Sequence, residues 1–158
     1  MIKLYKAIDD LYFDEYYQMK CLKNNIFHSG FSTVPSKEKM HSIFLDKLGS
    51  TTYELFFLLK DDQVKAYGQI KHIKNNSHEL AFASLYPGHG FGNRVLKEIK
   101  EYCLSKNEKN IFMYISIINV ISSLIAEKNG FIRTSKFDLR YNATIKQDIR
   151  FEEWILRK

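Results

Sequence analysis

The stretch "LYPGHGFGNRVLKEIKEY", residues 85–102, decides the fold because it places three glycines between an apolar segment and an amphipathic one. Gly88, Gly90 and Gly92 stand at alternate positions. Where a strand runs through a glycine-rich turn into a helix, free backbone N–H groups collect at the positive end of the helix dipole. Glycine also lets an anion approach the backbone closely. The stretch therefore predicts a site for a phosphate-bearing ligand.

Two well-known phosphate-binding loops do not fit this stretch. A Walker-type loop ends in Gly-Lys-Ser/Thr, whereas Gly92 is followed by Asn93 and Arg94. The dinucleotide fingerprint needs a third glycine where Asn93 stands, a strand-first parallel unit and an acid about 20 residues further on. None of these conditions is met well, so the elements around the glycines have to decide which kind of loop this is.

The hydrophobic pattern around the glycines changes its period along the chain. It predicts a strand at 2–8, a helix at 9–22 and a second helix between an N-cap at Ser36 and Gly49. The elements predicted after them are, in order, strands at 53–60, 63–73 and 78–86, a helix after the glycines, a strand at 110–118, a helix ending at Gly130, and strands at 131–142 and 148–158. Short polar turns join the first three of these strands, which indicates an antiparallel meander.

The composition is that of a globular protein. Of the 158 residues, 45% are hydrophobic and 15% aromatic, so we expect one domain spanning residues 1–158. Residues 1–17 carry charge every few positions, which predicts a cytoplasmic protein without a membrane partner. Cys21 and Cys103 are far apart and match no metal-ligand spacing, which favours buried free thiols and predicts no metal site.

The formal net charge of +6 has two interpretations. The lysines are scattered, without a basic run or an aromatic-interleaved basic motif, so a nucleic-acid partner is not predicted. A basic protein does suit an anionic ligand such as a phosphate-bearing cofactor, because its field raises the ligand concentration near the site. The alternative is that the charge only reflects a composition rich in lysine and asparagine.

Two motifs resemble those of one superfamily. "GHGFGNRVLKEIKEY", residues 88–102, follows the meander and resembles the acyl-CoA loop of the GNAT N-acetyltransferases, whose usual form is Arg/Gln-x-x-Gly-x-Gly/Ala. Gly90 and Gly92 fall on its glycines, but Pro87 falls on the Arg/Gln position, so pyrophosphate contacts there would fall to backbone N–H groups. "NVISSLIAEKNGF", residues 119–131, resembles the family's later motif, in which an Asn opens a helix that ends in Gly-Phe. The predicted order of elements agrees with that family over essentially the whole chain.

The resemblance implies an α/β (α+β) GNAT fold. Its central sheet would be single, mixed and mostly antiparallel, with about six to seven strands and helices on both faces. In this family the fourth and fifth strands splay apart, and the pantetheine arm of acetyl-CoA fills the gap much as an added strand would. The residues expected to bind acetyl-CoA are Ser84, Leu85, Tyr86, Gly88, His89, Gly90, Phe91, Gly92, Asn93, Asn119 and Ser122.

The resemblance also implies acetyl transfer to a primary amine, but one catalytic group is missing. Many relatives protonate the leaving thiolate with a Tyr that stands seven residues after the Asn, and that position is Ala126. Either Ser122, Ser123 or a water donates the proton, or the chain binds acyl-CoA without turnover. The expected catalytic residues are Ser122 and, as a base acting through water, Glu79 at the start of "ELAFASLY". A solvated carboxylate is the alternative for Glu79, and His72 and His78 are weaker candidates.

The acceptor is predicted by a looser resemblance. "CLKNNIF" and the helix after it resemble segments of bacterial acetyltransferases of nucleotide-linked amino sugars, and more loosely of ribosomal-protein N-terminal acetyltransferases. Lys23 stands at an Arg of that segment, and with Asn24 and His28 it is expected to contact the substrate. The alternatives are a small-amine acetyltransferase, a protein N-terminal acetyltransferase and a non-catalytic acyl-CoA-binding module. Members of the family are often monomers or dimers, so the resemblance implies a monomer or a homodimer.

Overall fold

The computed structural model of the chain describes residues 1–29 and 34–157. The described residues form, in order, β1 (Ile2–Lys6), α1 (Phe13–Cys21), α2 (Lys23–Ser29), α3 (Lys37–Leu48), β2 (Tyr53–Lys60), β3 (Gln63–Ile73), β4 (Ser77–Ser84), α4 (Phe91–Ser105), β5 (Ile111–Ser116), α5 (Val120–Lys128), β6 (Phe131–Asn142) and β7 (Gln147–Leu156). Every predicted strand and helix is present. No helix among these residues is long and apolar enough to cross a membrane.

The seven strands form one sheet in the order β1-β2-β3-β4-β5-β7-β6. All neighbours are antiparallel except β4 and β5, which run parallel. The prediction of a mixed, mostly antiparallel sheet is therefore confirmed. The β2–β3–β4 meander follows from two short polar turns whose residues adopt left-handed φ angles, as Asp and Asn do readily.

The parallel contact between β4 and β5 is short. It consists of the register pairs His78↔Ile111 and Glu79↔Phe112, and within the described residues no further pair joins the two strands. Beyond this point β4 stays on β3 up to Ser84, while β5 stays on β7 up to Ser116. We call the paired segment of β4, His78–Glu79, its closed end, and the segment Leu80–Ser84 its open end. At the open end each strand turns one backbone edge into a gap.

Helices cover both faces of the sheet, as predicted. Because strand residues alternate between faces, Phe56 packs under α4 and α5 while its neighbour Phe57 packs under α1 and α3. Both rings are essentially inaccessible, with 1% and 0% of their surface exposed. Burying one such ring contributes roughly 1.5–3 kcal/mol, so the two faces are held by comparable apolar cores.

Gly68 in β3 sets how closely α4 approaches the sheet. A Cβ at this position would lie 2.9 Å from Cγ2 of Ile99 and 3.2 Å from Cγ2 of Val95. The absence of a side chain therefore lets α4 lie directly on β3. This packing fixes the axis of α4, whose N-terminus follows the open end of β4.

Two sequence expectations need correction. The helix predicted at 9–22 is shorter, and a separate helix, α2, follows it at Lys23–Ser29. The segment "KNNIFHS" carries two asparagines of low helix propensity, but Asn25 stabilises the junction because its Nδ2 donates to the Met19 carbonyl at 2.7 Å. Of the two cysteines, Cys103 is buried as predicted, but Cys21 is exposed. Burial raises the pKa of the Cys103 thiol, and the neighbouring Glu108 carboxylate raises it further.

The predicted helix boundaries follow from caps. Oγ of Ser36 accepts a hydrogen bond from Lys39 N at 3.2 Å, as an N-cap should. Gly130 adopts a φ of 87° directly after α5, where a left-handed glycine ends a helix.

Candidate functional site

The glycine loop lies between the open end of β4 and the start of α4. Gly88 and Gly90 have φ angles of 85° and 81°, a region that residues with a side chain rarely adopt. A Cβ built on either glycine would meet no described atom within 4 Å. Both glycines therefore face open space, and both are needed for the backbone conformation of the loop.

Gly92 has a different role from the other two glycines. It is buried in the first turn of α4, and a Cβ there would lie 3.5 Å from Cε2 of Phe82 and 3.5 Å from Cδ1 of Ile125. Both distances are ordinary van der Waals contacts, so α4 starts packed against β4 and α5 without requiring a glycine here. The three glycines of the sequence motif therefore divide into two that shape the loop and one that lies in the packed start of the helix.

The start of α4 offers backbone donors. Gly90 is the N-cap, and the first helical bond runs from Arg94 N to Gly90 O at 3.1 Å. The N–H groups of Phe91, Gly92 and Asn93 precede that bond, so they have no acceptor within the helix. Since α4 is a 15-residue helix, its dipole adds positive potential at this point.

Several predicted cofactor residues are already engaged with other parts of the chain. Leu85 N donates to Lys65 O at 2.9 Å, and Tyr86 N donates to Oγ of Ser84 at 3.2 Å. Nδ2 of Asn129 donates to Oδ1 of Asn93 at 2.8 Å, which fastens α5 to the first turn of α4. The structure thus places all of these residues at the loop, but Leu85 and Tyr86 use their N–H groups to hold it.

Two lysines missed by sequence reasoning lie beside the loop. Lys65 Nζ is 4.6 Å from the centroid of the Tyr86 ring, and Lys60 Nζ is 5.9 Å from that of Phe91. A surface cavity of about 460 Å³ is lined by Lys60, Asp61, Gln63, Lys65, Tyr86, His89 and Phe91. These cations come from the β2–β3 turn, which the sequence separates from the loop by more than a strand. No local signal could have assigned them.

The start of α5 lies at the end of β5. Asn119 is the N-cap, and its Oδ1 accepts from Ser122 N at 3.2 Å, so this side chain serves the helix. Oγ of Ser123 donates to the Asn119 carbonyl at 3.2 Å. Ser122 is half-buried in the first turn. Ala126 is completely buried in the core under α5, so this position offers the site no acid.

On the opposite face of the sheet, Glu79 stands where the strands part. It pairs with Lys71 on β3 and with Phe112 on β5, and it is half-buried. Tyr114 lies on the same face, two residues beyond Phe112, at the level where the gap opens. Burial raises the pKa of Tyr114, and the nearby carboxylates, including that of Glu79, raise it further. Its hydroxyl therefore stays protonated as a donor, a feature hidden in the apolar run "IFMYI".

The same face carries a group of partly buried lysines, Lys20, Lys47 and Lys71. Burial lowers the pKa of Lys47 to about 8, and the charges of Lys20 and Lys71 lower it further. Lys47 Nζ donates to Oε1 of Gln69 at 2.9 Å. The face therefore has a cationic region next to the carboxylate of Glu79.

The three predicted substrate residues all lie on α2, but in different environments. Lys23 and Asn24 are exposed at its start, whereas His28 is half-buried near its end. Burial lowers the pKa of His28, and its Nδ1 has no hydrogen-bond partner among the described residues. Asn142 Nδ2 donates to the Phe27 carbonyl at 2.7 Å and fixes this end of α2 to β6. Thus His28 is partly enclosed, while Lys23 and Asn24 face outward.

The two weaker base candidates lie elsewhere. His78 is the neighbour of Glu79 on β4, but successive strand residues point to opposite faces, and the His78 ring contacts His72 of β3 and Glu108. Burial lowers the pKa of His78, while the Glu108 carboxylate opposes that effect. Both imidazoles therefore lie on the face of the sheet opposite to the Glu79 carboxylate.

A second surface cavity, of about 520 Å³, lies away from the loop between the starts of α1 and α3. Its lining includes Asp10, Asp14, Lys37, Glu38 and His41. It does not adjoin the gap or the glycine loop.

No protein-family model matches the chain, and a search of curated protein sequences finds no match. Solved structures do resemble it. Spermidine N-acetyltransferase from Vibrio cholerae, in complex with CoA and spermine, has a TM-score of 0.77 at 13% identity, covering 98% of this chain and 95% of that one. A GNAT-family acetyltransferase from Bacillus anthracis has a TM-score of 0.79 at 11% identity, covering 98% of this chain and 93% of that one. Ribosomal-protein-alanine N-acetyltransferase from Brucella melitensis has a TM-score of 0.76 at 14% identity, covering 98% of each chain. At these identities the likeness is one of fold, and the fold is that of the GNAT acetyltransferases.

Proposed function

We propose that this chain is an N-acetyltransferase that moves an acetyl group from acetyl-CoA to a primary amine of a small acceptor. The observation that carries this proposal is the coincidence of two features at one place. The gap between β4 and β5 opens directly toward a glycine loop that begins where β4 ends. An extended pantetheine arm and its pyrophosphate are connected in the same order.

The loop fits a pyrophosphate in spite of Pro87. Its donors are the N–H groups at the start of α4, and the positions of Gly88 and Gly90 leave room for phosphate oxygens. Lys60 and Lys65 supply the positive charge that an Arg at position 87 would give in relatives. We expect Lys65→Met to weaken acetyl-CoA binding several-fold, more at low salt than at high salt.

The reaction needs a neutral amine, a donor to the oxyanion and a proton for the leaving thiolate. Glu79 stands where the strands part, and we assign it the role of a base that acts through water. Backbone N–H groups of the open end of β4 face the gap and serve as oxyanion donors. Ser122 is the first candidate acid, and Tyr114 is a second because its hydroxyl lies at the level of the gap. A thiol of ordinary pKa about 8.5 is a tolerable leaving group, so loss of either hydroxyl lowers the rate without abolishing it.

The acceptor we favour carries an amine and an anionic group, as a nucleotide-linked amino sugar does. Glu79 would attract the amine, and Lys20, Lys47 and Lys71 on the same face would attract the anion. A polyamine is disfavoured, because three partly buried cations would repel it. A protein N-terminus remains the second candidate, favoured by the fold likeness to the Brucella enzyme.

Two measurements test this function. Thermal unfolding with acetyl-CoA, with free CoA alongside, should show a rise in the midpoint with either ligand. Release of free thiol should then be followed with a nucleotide-linked amino sugar, a polyamine and a peptide with a free N-terminus. Turnover with the sugar alone supports the full proposal. A rise in the midpoint without thiol release from any amine favours a non-catalytic acyl-CoA-binding module, and no rise excludes acetyl-CoA as the ligand.

A further inference from the structure

Three metal-ligating side chains converge at the closed end of β4, away from the glycine loop. His72 lies one residue before the end of β3, His78 is the second residue of β4, and Glu108 lies in the loop before β5. Their Nδ1 and carboxylate atoms all lie within 4.8 Å of one another. The two Nδ1 atoms are 2.7 Å apart, and Glu108 oxygens lie 3.9 Å from His72 Nδ1 and 3.6 Å from His78 Nδ1.

The partners of the other ring nitrogens fix where the protons lie. His72 Nε2 is 2.7 Å from Oε2 of Glu54, and His78 Nε2 is 2.7 Å from Oδ1 of Asn76. Both oxygens can only accept a hydrogen bond, so each Nε2 carries a proton. A neutral imidazole has one N–H, and each Nδ1 is therefore left with a lone pair.

Glu54 holds its imidazole firmly. Its other oxygen, Oε1, accepts from Lys6 Nζ at 2.7 Å and from the Tyr102 hydroxyl at 2.8 Å. A carboxylate with two such donors stays an acceptor toward His72. The orientation of the His72 ring is thus set by three elements of the fold, β1, β2 and α4.

The cluster is consequently a group of electron-pair donors that face one another. Two lone pairs of nitrogen lie 2.7 Å apart, and Oε2 of Glu108 is buried without a hydrogen-bond partner among the described residues. Buried polar atoms in this state are costly unless a cation satisfies them. A proton shared by His72 and His78 would satisfy the nitrogen pair and leave Glu108 Oε2 unbonded. A metal ion would satisfy all three groups.

We propose that His72, His78 and Glu108 bind a divalent transition-metal ion of the zinc type, with Glu54 and Asn76 orienting the two imidazoles. Two imidazoles and a carboxylate are a common zinc set, with a water in the fourth position. Hydrogen bonds from the outer ring nitrogens to Glu54 and Asn76 are the usual support of such ligands. Tetrahedral binding puts ligand nitrogens roughly 3.3 Å apart, so small rotations of the two rings suffice.

The site joins two segments whose strands pair only over a short stretch. Glu108 belongs to the loop before β5, while both histidines belong to the β3–β4 hairpin, beside the register pair His78↔Ile111. A bound ion would therefore clamp β4 to β5 at the closed end. This role is independent of the proposed acetyl transfer.

The test is calorimetric titration of zinc chloride into the full chain after chelator treatment and dialysis. One ion per chain is expected, and the thermal midpoint should rise with zinc but not with calcium, which prefers oxygen ligands. His72→Gln and Glu108→Gln should each weaken zinc binding at least tenfold. His41→Gln, a change at a histidine outside the cluster, should leave zinc binding unchanged.

A further variant covers a failure of those proteins to fold. Asn76 is exposed and has a φ of 54°, so Asn76→Gly keeps the turn and removes only the acceptor of His78 Nε2. We expect it to weaken zinc binding about tenfold. The proposal is overturned if the folded wild-type chain takes up no zinc, in which case nitrogen-15 NMR should show a proton on one Nδ1. It is equally overturned if zinc binds the ligand variants as tightly as the wild type.

Discussion

The two ends of β4 differ in whether the edge of the strand facing β5 is paired. At the closed end, β5 pairs with the strand, and the outer ring nitrogens of His72 and His78 are bonded to Glu54 and Asn76. At the open end, the edge of the strand and the positive-φ glycines face space. The comparison teaches that one strand can combine a stabilising end with an end whose backbone donors remain available. We therefore expect mutations at the open end to change ligand affinity, and mutations at the closed end to change stability.

The largest effect should come from Gly90→Val in the glycine loop, which follows the open end. Its side chain would enter the open space of the loop, and the φ of 81° would be strained for a β-branched residue. We expect a loss of acetyl-CoA affinity of more than about 100-fold, which is about 2.7 kcal/mol. Thermal unfolding with and without acetyl-CoA measures it. Gly49→Val, at a glycine with φ of −78°, is the matched control and should keep the ligand-induced rise. A normal rise in the Gly90 variant would place the phosphate site elsewhere.

Glu79→Gln tests the boundary between the two ends. Because general bases contribute about 10²–10⁴-fold, we expect turnover to fall about 100-fold while acetyl-CoA affinity stays nearly unchanged. Thiol release at saturating acetyl-CoA gives the first quantity, and calorimetric titration gives the second. Glu101→Gln, a change at an exposed carboxylate of α4, is the control. Unchanged turnover in the Glu79 variant would remove this residue from the mechanism.

Glu54→Gln, a change at the closed end, should lower stability and leave acetyl-CoA affinity nearly unchanged. It leaves Lys6 with a weaker acceptor in a partly buried network, so we expect a loss of about 2 kcal/mol in the free energy of unfolding. Urea denaturation measures this loss. Acetyl-CoA affinity should remain within about twofold of the wild type, since the loop is about 20 Å away. A stability equal to the wild type, or a large loss of affinity, would contradict the division between the two ends.

The smallest effect concerns Lys47, on the face of α1 and α3. Its pKa of about 8 in the folded chain lies below its ordinary value of 10.5, because burial disfavours the charged form. Between these values the unfolded chain binds more protons, so the free energy of unfolding rises with pH in that window. We expect a gain of about 1 kcal/mol after allowance for partial exposure. Urea midpoints of wild type and Lys47→Met at pH 7 and pH 10 measure it. If the urea midpoint changes equally with pH in both proteins, the change belongs to another titratable group.

The sequence predicted the strands and most helices well, because the switch from period 3.6 to period 2 is clear. It missed α2, whose asparagines favour a loop by propensity and are overridden by the bond from Asn25 to the Met19 carbonyl. The lysines beside the glycine loop could not be predicted, because they are distant from it in sequence and only the β2–β3 turn brings them there. The cluster of His72, His78 and Glu108 was hidden for the same reason. Side chains that come together from distant segments have no characteristic spacing in a single sequence.

The sheet order also has a consequence for folding. Strands β1 to β4 form one antiparallel unit and β5 to β7 another, and two register pairs connect them. Within the first unit, the β2–β3–β4 meander joins strands through short turns, so its loops close at low entropic cost and it should form early. The second unit should join it late, along this narrow seam. In native-state hydrogen exchange, the amides of Phe112 and Glu79 should then report a subglobal opening that separates the two units before either one unfolds.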